Sequence, residues 1–228
     1  GVYFFKQGDT VLYIGKATNL YHRTKSYLQK NLMETRGPFI VKMIEESDVL
    51  EFTETESALE ALLLESYLIK QHQPEYNTKE KDNRSYNYVV ITNEVFPRIF
   101  TVRQRALNIM KGKEENSFLY VFGPFPNRDQ LQTALKIIRK IFPFYGKKSI
   151  HRNNYEFYKQ LGLLPDDSHS EAAEMYHKNI EYIALFFKGQ KKSLIQKLKK
   201  DMMSYAKELA FEKADIIKRQ IYALEHIH

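Results

Sequence analysis

The fold of this chain is decided in residues 1–16, which read GVYFFKQGDTVLYIGK. Two runs rich in aromatic and β-branched residues, at 2–6 and 10–14, are typical of β-strands. The Gln-Gly-Asp sequence at 7–9 between them favours a tight hairpin turn. The sequence therefore predicts a β-hairpin that leads into a short helix at 19–28.

The remaining sequence alternates between helical and strand-like patterns. Ser57, followed three residues later by Glu60, forms a capping box that marks the start of a strongly patterned helix, and Pro74 marks its end. We expect further strands at 49–54, 86–92, 98–102 and 118–122. We expect helices at 38–46, 57–73, 129–141, 171–187, 192–209 and 211–227.

These patterns predict an α+β fold. A small mixed or antiparallel sheet flanked by helices comes first, and a helical connector and an antiparallel helical hairpin follow it. The domain boundaries that we expect are 1–78 for the first domain, 79–188 for the connector region, in which strands precede helices, and 189–228 for the hairpin.

Composition narrows the classes of function. The chain has 228 residues and a formal net charge of +7, which favours an acidic partner such as nucleic acid or an anionic membrane surface. It contains no cysteine, which removes disulfides, thiolate metal ligands and thiol nucleophiles. No apolar run approaches the roughly 18 residues of a membrane-spanning helix, and no signal peptide is visible. We therefore expect a cytoplasmic protein without a membrane partner.

Tyrosines and cations are concentrated around the hairpin, at Tyr3, Tyr13, Lys16, Arg23 and Tyr27. Arg23 and Tyr27 are four residues apart and share one helix face. Fixed cations stabilise the charge that develops during phosphate-ester cleavage, and a tyrosine beside them is expected to have a lowered pKa and to act as a base. The alternative is a set of ordinary strand aromatics next to a solvated basic helix.

Glu65 stands out because its neighbours at helical spacing, Ala61, Leu62, Leu68 and Ile69, are all apolar. A carboxylate on an apolar face is costly unless it is paired or bound to a metal ion. One interpretation is a buried ion pair with Lys16 or Arg23. The other is a single carboxylate that, together with water and phosphate, holds Mg²⁺ or Mn²⁺.

Together these residues resemble the GIY-YIG nuclease family, and within it the N-terminal half of the UvrC proteins of bacterial nucleotide excision repair. The resemblance covers nearly the whole chain, and the order and spacing of its motifs make it specific. The motifs are Gly1-Val2-Tyr3, Tyr13-Ile14-Gly15-Lys16, Asn19-Leu20, Ser26-Tyr27, EALLLE at 60–65, LIK at 68–70, PEYN at 74–77, FPR at 96–98 and FGPFP at 122–126.

The resemblance implies a role for each residue of the site. Tyr13 would be the general base that activates water, and Glu65 would hold a single divalent metal ion, Mg²⁺ or Mn²⁺. Arg23 and Lys16 would stabilise the pentacovalent phosphate. The residues that would position groups around it are Tyr3, Tyr27 and Asn77. The implied reaction is cleavage of damaged double-stranded DNA on the 3′ side of the lesion.

The C-terminal tail resembles the UVR motif, the helical hairpin through which UvrC proteins meet UvrB. Phe211 at the hairpin turn would be the anchor of this contact, because aromatic residues often carry interface energy. The alternative is a plain hairpin that packs on its own domain. The residues that the resemblance assigns to the partner are Leu209, Phe211, Glu212, Ala214 and Ile221.

Two departures from the family pattern change what we expect. UvrC proteins usually carry a cysteine cluster, associated with an iron–sulfur cluster, before the UVR motif. Residues 147–167 contain no cysteine, so we expect no iron–sulfur cluster. The chain also lacks the RNase H-like domain that makes the 5′ cut. Its start at Gly1 instead of Met favours a fragment over a naturally short protein such as the stand-alone UvrC homologue Cho.

Basic residues outside the site are candidates for contacts with the DNA backbone, with an affinity that falls as salt rises. Those nearest the site are Lys25, Lys30, Lys79, Lys81 and Arg84, and those further along are Arg103, Arg105, Lys147, Lys148 and Arg152. The leading hypothesis is a metal-dependent endonuclease recruited by UvrB. Its alternatives are a non-catalytic adaptor that tethers UvrB and DNA, a stand-alone Cho-like repair nuclease, and a nuclease of the same fold that acts outside repair.

Overall fold

A computed structural model of the chain describes residues 1–78, 86–112, 117–146, 155–165 and 172–227. The chain divides into two compact units. The N-terminal unit consists of Gly1–Tyr86 and Gly123–Pro126, and the second unit of Asn87–Phe122 and Asn127–Ile227. The architecture is α+β with small sheets and flanking helices, as the sequence predicts. The division of the chain into three domains stays a prediction.

The sheet of the N-terminal unit has the order β2-β1-β3. Its strands are β1 (Val2–Gln7), β2 (Thr10–Lys16) and β3 (Val49–Thr53). Both neighbours run antiparallel to β1, and the pairing of β1 with β2 sets Tyr3 opposite Gly15. Gly8 turns the hairpin at a φ of 55°, a conformation that glycine adopts without strain. The predicted hairpin is therefore confirmed.

Helices cover this sheet and fix its aromatic side chains. They are α1 (Leu20–Lys25), α2 (Leu32–Arg36), α3 (Pro38–Glu46), α4 (Ala58–His72) and α5 (Glu75–Thr78). The predicted helix at 19–28 is shorter, because a 3₁₀ turn at Ser26–Leu28 follows α1. The short helices α2 and α5 have too few turns for a helical period to show in the sequence. Ser57 caps α4 by accepting from the N–H of Glu60 at 3.1 Å.

The core of the N-terminal unit is aromatic around the hairpin. Tyr3, Phe5 and Leu12 from the two strands pack with Tyr27 and with Met43 from α3, and all five are buried. The rings of Phe5 and Tyr27 meet edge to face with centroids 5.0 Å apart, an arrangement favoured by the ring quadrupole. This packing holds the hairpin and the segment after α1 in fixed positions relative to each other.

The second unit contains a sheet of order β5-β4-β6 and helices that surround it. Its strands are β4 (Asn87–Thr92), β5 (Ile99–Arg103) and β6 (Phe118–Phe125), and the last three residues of β6 are counted with the N-terminal unit. Strands β4 and β5 are antiparallel. Its first helices are α6 (Gln104–Lys111), α7 (Arg128–Ile141) and α8 (Tyr155–Gln160). The sequence predicts α7, whereas α6 and α8 are short and were not expected.

Three helices close the second unit: α9 (Ala172–Phe187), α10 (Lys191–Lys207) and α11 (Phe211–Glu225). Helices α10 and α11 form the predicted antiparallel hairpin, with Lys199 and Glu225 paired across it at 3.5 Å. Gln220 on α11 donates to the carbonyl of Ile141 on α7 at 3.1 Å. Within the described residues, no helix has the length and apolar character needed to cross a membrane.

Candidate active site

Three tyrosines converge beside the hairpin of the N-terminal unit. The ring centroids of Tyr3, Tyr13 and Tyr27 lie 5.9 to 6.5 Å apart. The hydroxyl oxygens of Tyr3 and Tyr27 are 2.8 Å apart and share a hydrogen bond. Because Tyr3 and Tyr13 come from adjacent antiparallel strands and Tyr27 from the turn after α1, the fold itself brings the three phenols together.

Gly15 makes this convergence possible. A Cβ atom at this position would lie 2.4 Å from the hydroxyl oxygen and 2.5 Å from Cζ of Tyr3, well inside van der Waals contact. The ring of Tyr3 is fully buried and cannot withdraw into solvent. A residue without a side chain is therefore required opposite Tyr3.

Arg23 joins the tyrosines from α1. Its Nε donates to the hydroxyl of Tyr3 at 3.1 Å, and its guanidinium carbon lies 5.5 Å from the ring centroid of Tyr27. Asn19 caps the helix by accepting from the N–H of His22 at 2.9 Å. The spacing of four residues predicted that Arg23 and Tyr27 share a face, and the structure confirms it.

Glu65 lies in α4 with only 6 % of its surface exposed. Its Oε2 has no hydrogen-bond partner and lies 3.9 Å from Nζ of Lys16, near the limit for an ion pair. Burial raises the pKa of this carboxyl to about 7, against the opposing effect of the Lys16 ammonium and a hydrogen bond from the Lys16 backbone. The structure therefore has a feature of each interpretation. Glu65 forms a loose ion pair with Lys16, and its Oε2 is buried without a hydrogen-bond donor.

The donor set at Glu65 fits a hard divalent cation with sparse protein ligation. An orphaned buried carboxylate oxygen is a suitable ligand for Mg²⁺ or Mn²⁺, which bind oxygen and often keep several waters. Among the described residues, no three His, Asp or Glu side chains converge on one point. An ion at Glu65 would therefore complete its coordination with water and phosphate oxygens.

The pKa of Tyr13 differs from our expectation. We expected the nearby cations to lower it, whereas it is raised well above its usual value. The main cause is burial, followed by the neighbouring phenols of Tyr27 and Tyr3 and the charge of Glu65. The expectation of a lowered pKa is wrong because burial raises the pKa of Tyr13 most, and the neighbouring phenols and the Glu65 carboxylate raise it further.

Asn77 lies at the edge of β2 and not in the group of tyrosines. Its Oδ1 accepts from the N–H of Ile14 at 2.7 Å, and its Nδ2 donates to the carbonyl of Ile14 at 2.8 Å. Both ends of the amide are therefore used on the backbone between Tyr13 and Gly15. The structure gives Asn77 the task of holding the strand that carries the site, so any effect on phosphate would be indirect.

Arg36, at the end of α2, is a neighbour of the site that the sequence did not single out. Its guanidinium carbon lies 4.1 Å from the ring centroid of Tyr27, and Nη2 donates to Oγ of Ser26 at 2.9 Å. The side chain is half-buried. In the sequence Arg36 is only a charged residue before Gly37-Pro38. That position does not indicate a contact with Tyr27, nine residues earlier.

The predicted DNA-backbone contacts nearest the site divide into two groups. Lys25 and Lys30 are exposed, and Nζ of Lys25 lies 5.5 Å from the ring centroid of Tyr21. The others lie outside the described residues: Lys79, Lys81 and Arg84. Of the more distant candidates, Arg103 and Arg105 are exposed. The remaining three also lie outside the described residues: Lys147, Lys148 and Arg152.

The predicted partner residues on the hairpin differ in accessibility. Phe211 is 64 % exposed and Leu209 is 74 % exposed, next to an exposed Glu212 and a half-buried Ala214. Ile221 is only 7 % exposed, because its side chain points into the unit. A direct contact of Ile221 with a partner therefore does not fit this structure, whereas Phe211 and Leu209 are available.

Comparison with known proteins identifies the chain. Residues 1–78 match the family model of the UvrC-like GIY-YIG domain. Over 98% of its length the chain is 36% identical to the UvrABC system protein C of Synechocystis sp., and over 100% of its length it is 35% identical to that of Carboxydothermus hydrogenoformans. It spans 35% and 36% of these curated relatives. Along its whole length the chain therefore matches the N-terminal part of UvrC proteins, and residues 1–78 match the UvrC-like GIY-YIG domain.

Proposed function

We propose that this chain is the 3′-incision part of a UvrABC excision-repair nuclease. It would hydrolyse one phosphodiester bond of a damaged duplex on the 3′ side of the lesion, in the cytoplasm and with a divalent metal ion. The names of its relatives place them in the UvrABC system. The observation that carries the proposal is the orphaned Oε2 of Glu65, buried beside Lys16 and electrostatically linked to Tyr13 and Arg23.

Each residue of the site has a separate role in phosphate hydrolysis. Arg23 presents its remaining guanidinium N–H groups to a phosphate oxygen while Nε holds the Tyr3 hydroxyl. Lys16 adds a second positive charge where the pentacovalent phosphate gains negative charge. Tyr13, once its hydroxyl has lost its own proton to solvent, accepts the proton of the attacking water as the phenolate, and the linked hydroxyls of Tyr3 and Tyr27 orient the reacting groups.

To act as a base, Tyr13 must be a phenolate, and its raised pKa disfavours that form. In the metal-free site Glu65 is one of the groups that disfavour the phenolate. A divalent cation bound to Glu65 would supply Lewis-acid charge to the phosphate and offset the carboxylate charge beside Tyr13. We therefore expect the activity to depend on Glu65 and Tyr13 together.

The hairpin of α10 and α11 supports the second half of the proposal, which is recruitment by UvrB. Monomeric proteins normally bury large apolar residues that lie close together. Phe211 and Leu209 are instead both exposed at the turn, where Leu209 takes a positive φ of 60°. We propose that these two side chains insert into an apolar surface of UvrB, with Phe211 as the anchor.

Nicking of a site-specifically damaged duplex preloaded with UvrB tests the proposal. The wild-type chain, Tyr13→Phe and Glu65→Ala are compared with Mg²⁺, with Mn²⁺ and with a chelator. We expect one metal-dependent nick 3′ to the lesion, and its loss in both variants. Tyr67→Phe, at an exposed tyrosine two residues from Glu65, is the matched control and should cut like the wild type.

Each outcome separates the hypotheses. If Glu65→Ala still cuts, Glu65 is not the metal ligand and the mechanism is wrong. If the wild-type chain binds UvrB without cutting, the result favours the hypothesis of a non-catalytic adaptor. If it cuts DNA but does not bind UvrB, a nuclease that acts outside UvrB-dependent repair is the better interpretation.

A further inference from the structure

Tyr27 is contacted by two guanidinium groups, and one of them has no role in the mechanism above. The ring of Tyr27 is 1% exposed, with the guanidinium carbon of Arg36 at 4.1 Å and that of Arg23 at 5.5 Å from its centroid. Both distances are within the roughly 6 Å of a cation–π contact. Ser26 connects the two arginines, because its Oγ accepts from Arg36 and donates to the carbonyl of Arg23.

Neither of these positive charges has a close anionic partner in the part of the chain that the structure describes, and Glu65 acts on Arg23 from beyond ion-pair distance. Among the residues that the structure describes, no carboxylate forms an ion pair with Arg23 or Arg36. Arg36 uses one N–H on Ser26, while a guanidinium has five. Two half-buried guanidinium groups near one ring repel each other, and an anion bound at either of them would reduce this repulsion.

We propose that Arg36 binds a second phosphate of the DNA strand, next to the scissile phosphate held by Arg23. This inference rests on the proposed function and extends it to how the strand is held on both sides of the cut. The stack on Tyr27 and the bond to Ser26 fix the plane of the guanidinium, so its remaining donors are preorganised for a phosphate. Arg36 would set the register of the strand without contacting the reacting atoms.

The alternative is that Arg36 is only a clamp on the ring of Tyr27. A clamp would affect the melting temperature and the turnover number but would release no counterions from DNA. A phosphate contact contributes about 0.9 to the slope of log affinity against log salt concentration. The salt slope therefore distinguishes the two roles.

The test measures binding of the 228-residue chain to a short labelled duplex between about 50 and 200 mM salt. The chains compared are the wild type, Arg36→Gln, Arg36→Lys and Lys42→Gln. Lys42 is exposed on α3 in the same unit, so its variant removes one charge away from the tyrosines. We expect Arg36→Gln to reduce the slope by about 0.9, and we expect the wild-type slope for Arg36→Lys and Lys42→Gln. Melting temperatures and nicking rates are recorded for every chain.

The inference is overturned if Arg36→Gln keeps the wild-type slope, or if Lys42→Gln lowers the slope by the same amount. If Arg36→Gln does not fold, Arg36→Met decides, because it also removes the charge while its side chain still packs on the ring of Tyr27. A slope reduced by about 0.9 supports the phosphate contact, and an unchanged slope overturns it. Failure of the proposed function has a different signature. The wild-type chain would then neither cut nor show a salt-dependent affinity, which would overturn both proposals.

Discussion

At the scale of single residues, the site depends on one missing side chain. Gly15 faces Tyr3, and the gap between them is too small for a methyl group. We expect Gly15→Ala to lower the free energy of unfolding by about 1–3 kcal/mol, the usual cost of overpacking a rigid core. Gly112→Ala is the control, because Gly112 has a φ of −75° and a Cβ atom there would meet other atoms only at 3.6 Å or more. Urea denaturation should show the larger loss for Gly15→Ala; equal losses would mean that the contact with Tyr3 is unimportant.

The raised pKa of Glu65 makes a prediction about metal-free stability. The folded carboxyl keeps its proton up to about pH 7, whereas the ordinary value is 4.5. The unfolded chain therefore binds fewer protons in this window, and the free energy of unfolding falls as pH rises through it. We expect Glu65→Gln to remove this fall and to stabilise the chelated protein at pH 8 by about 2 kcal/mol.

Thermal or urea unfolding at several pH values, with chelator present, measures this effect. Glu45→Gln, at an exposed carboxylate on α3, is the matched control and should keep the wild-type pH dependence. Parallel curves for the wild type and Glu65→Gln would show that the carboxyl titrates normally, and the argument for a destabilised, metal-ready site would then fail.

At the scale of elements, β2 is an edge strand whose outer backbone groups are satisfied by a side chain. Asn77 replaces a neighbouring strand at Ile14 with two hydrogen bonds. We expect Asn77→Ala to cost about 1–3 kcal/mol, because it leaves two buried backbone groups without partners. Asn77→Asp should be similarly damaging, because a carboxylate cannot donate to the Ile14 carbonyl. Both should lower the turnover number more than the affinity for DNA, since Tyr13 and Gly15 flank Ile14.

Elements with local signals can be predicted from the sequence, whereas contacts between distant residues cannot. The hairpin, α3, α4 and α7 were predictable because their apolar period and caps are local signals. The short helices α2, α6 and α8 were missed because each has at most eight residues, too few turns for a helical period to be recognised in the sequence. The bond of Asn77 to Ile14 joins residues 63 positions apart, and the stack of Arg36 on Tyr27 follows from the path of α2. The raised pKa of Tyr13 likewise depends on burial, which the sequence does not display.

The hairpin of α10 and α11 allows partner binding and packing to be separated. We expect Phe211→Ala to change the free energy of unfolding by less than about 0.5 kcal/mol, because the side chain is exposed. Ile221→Ala should cost about 2–4 kcal/mol, as for other buried large-to-small changes. Binding to UvrB should weaken at least tenfold for Phe211→Ala. Unchanged binding would show that the exposed turn is not the contact.

At the scale of the whole molecule, the positive charge is unevenly distributed. The N-terminal unit contains 11 Lys and Arg and 13 Asp and Glu, a net charge of −2. The second unit contains 24 Lys and Arg and 15 Asp and Glu, a net charge of +9. The unit with the candidate active site therefore does not by itself attract a polyanion, and the second unit supplies the long-range attraction.

This distribution predicts where the salt dependence of DNA binding originates. The double variant Arg103→Gln/Arg105→Gln neutralises two exposed residues of the second unit, and Lys25→Gln/Lys30→Gln neutralises two exposed residues of the N-terminal unit. Each pair removes two charges, so a general charge effect would be equal. We expect the first variant to reduce the salt slope by up to about 1.8 and the second by less, because phosphates gather where the potential is positive. A larger loss for the N-terminal pair would mean that local contacts around the active site, and not the charge of the second unit, hold the DNA.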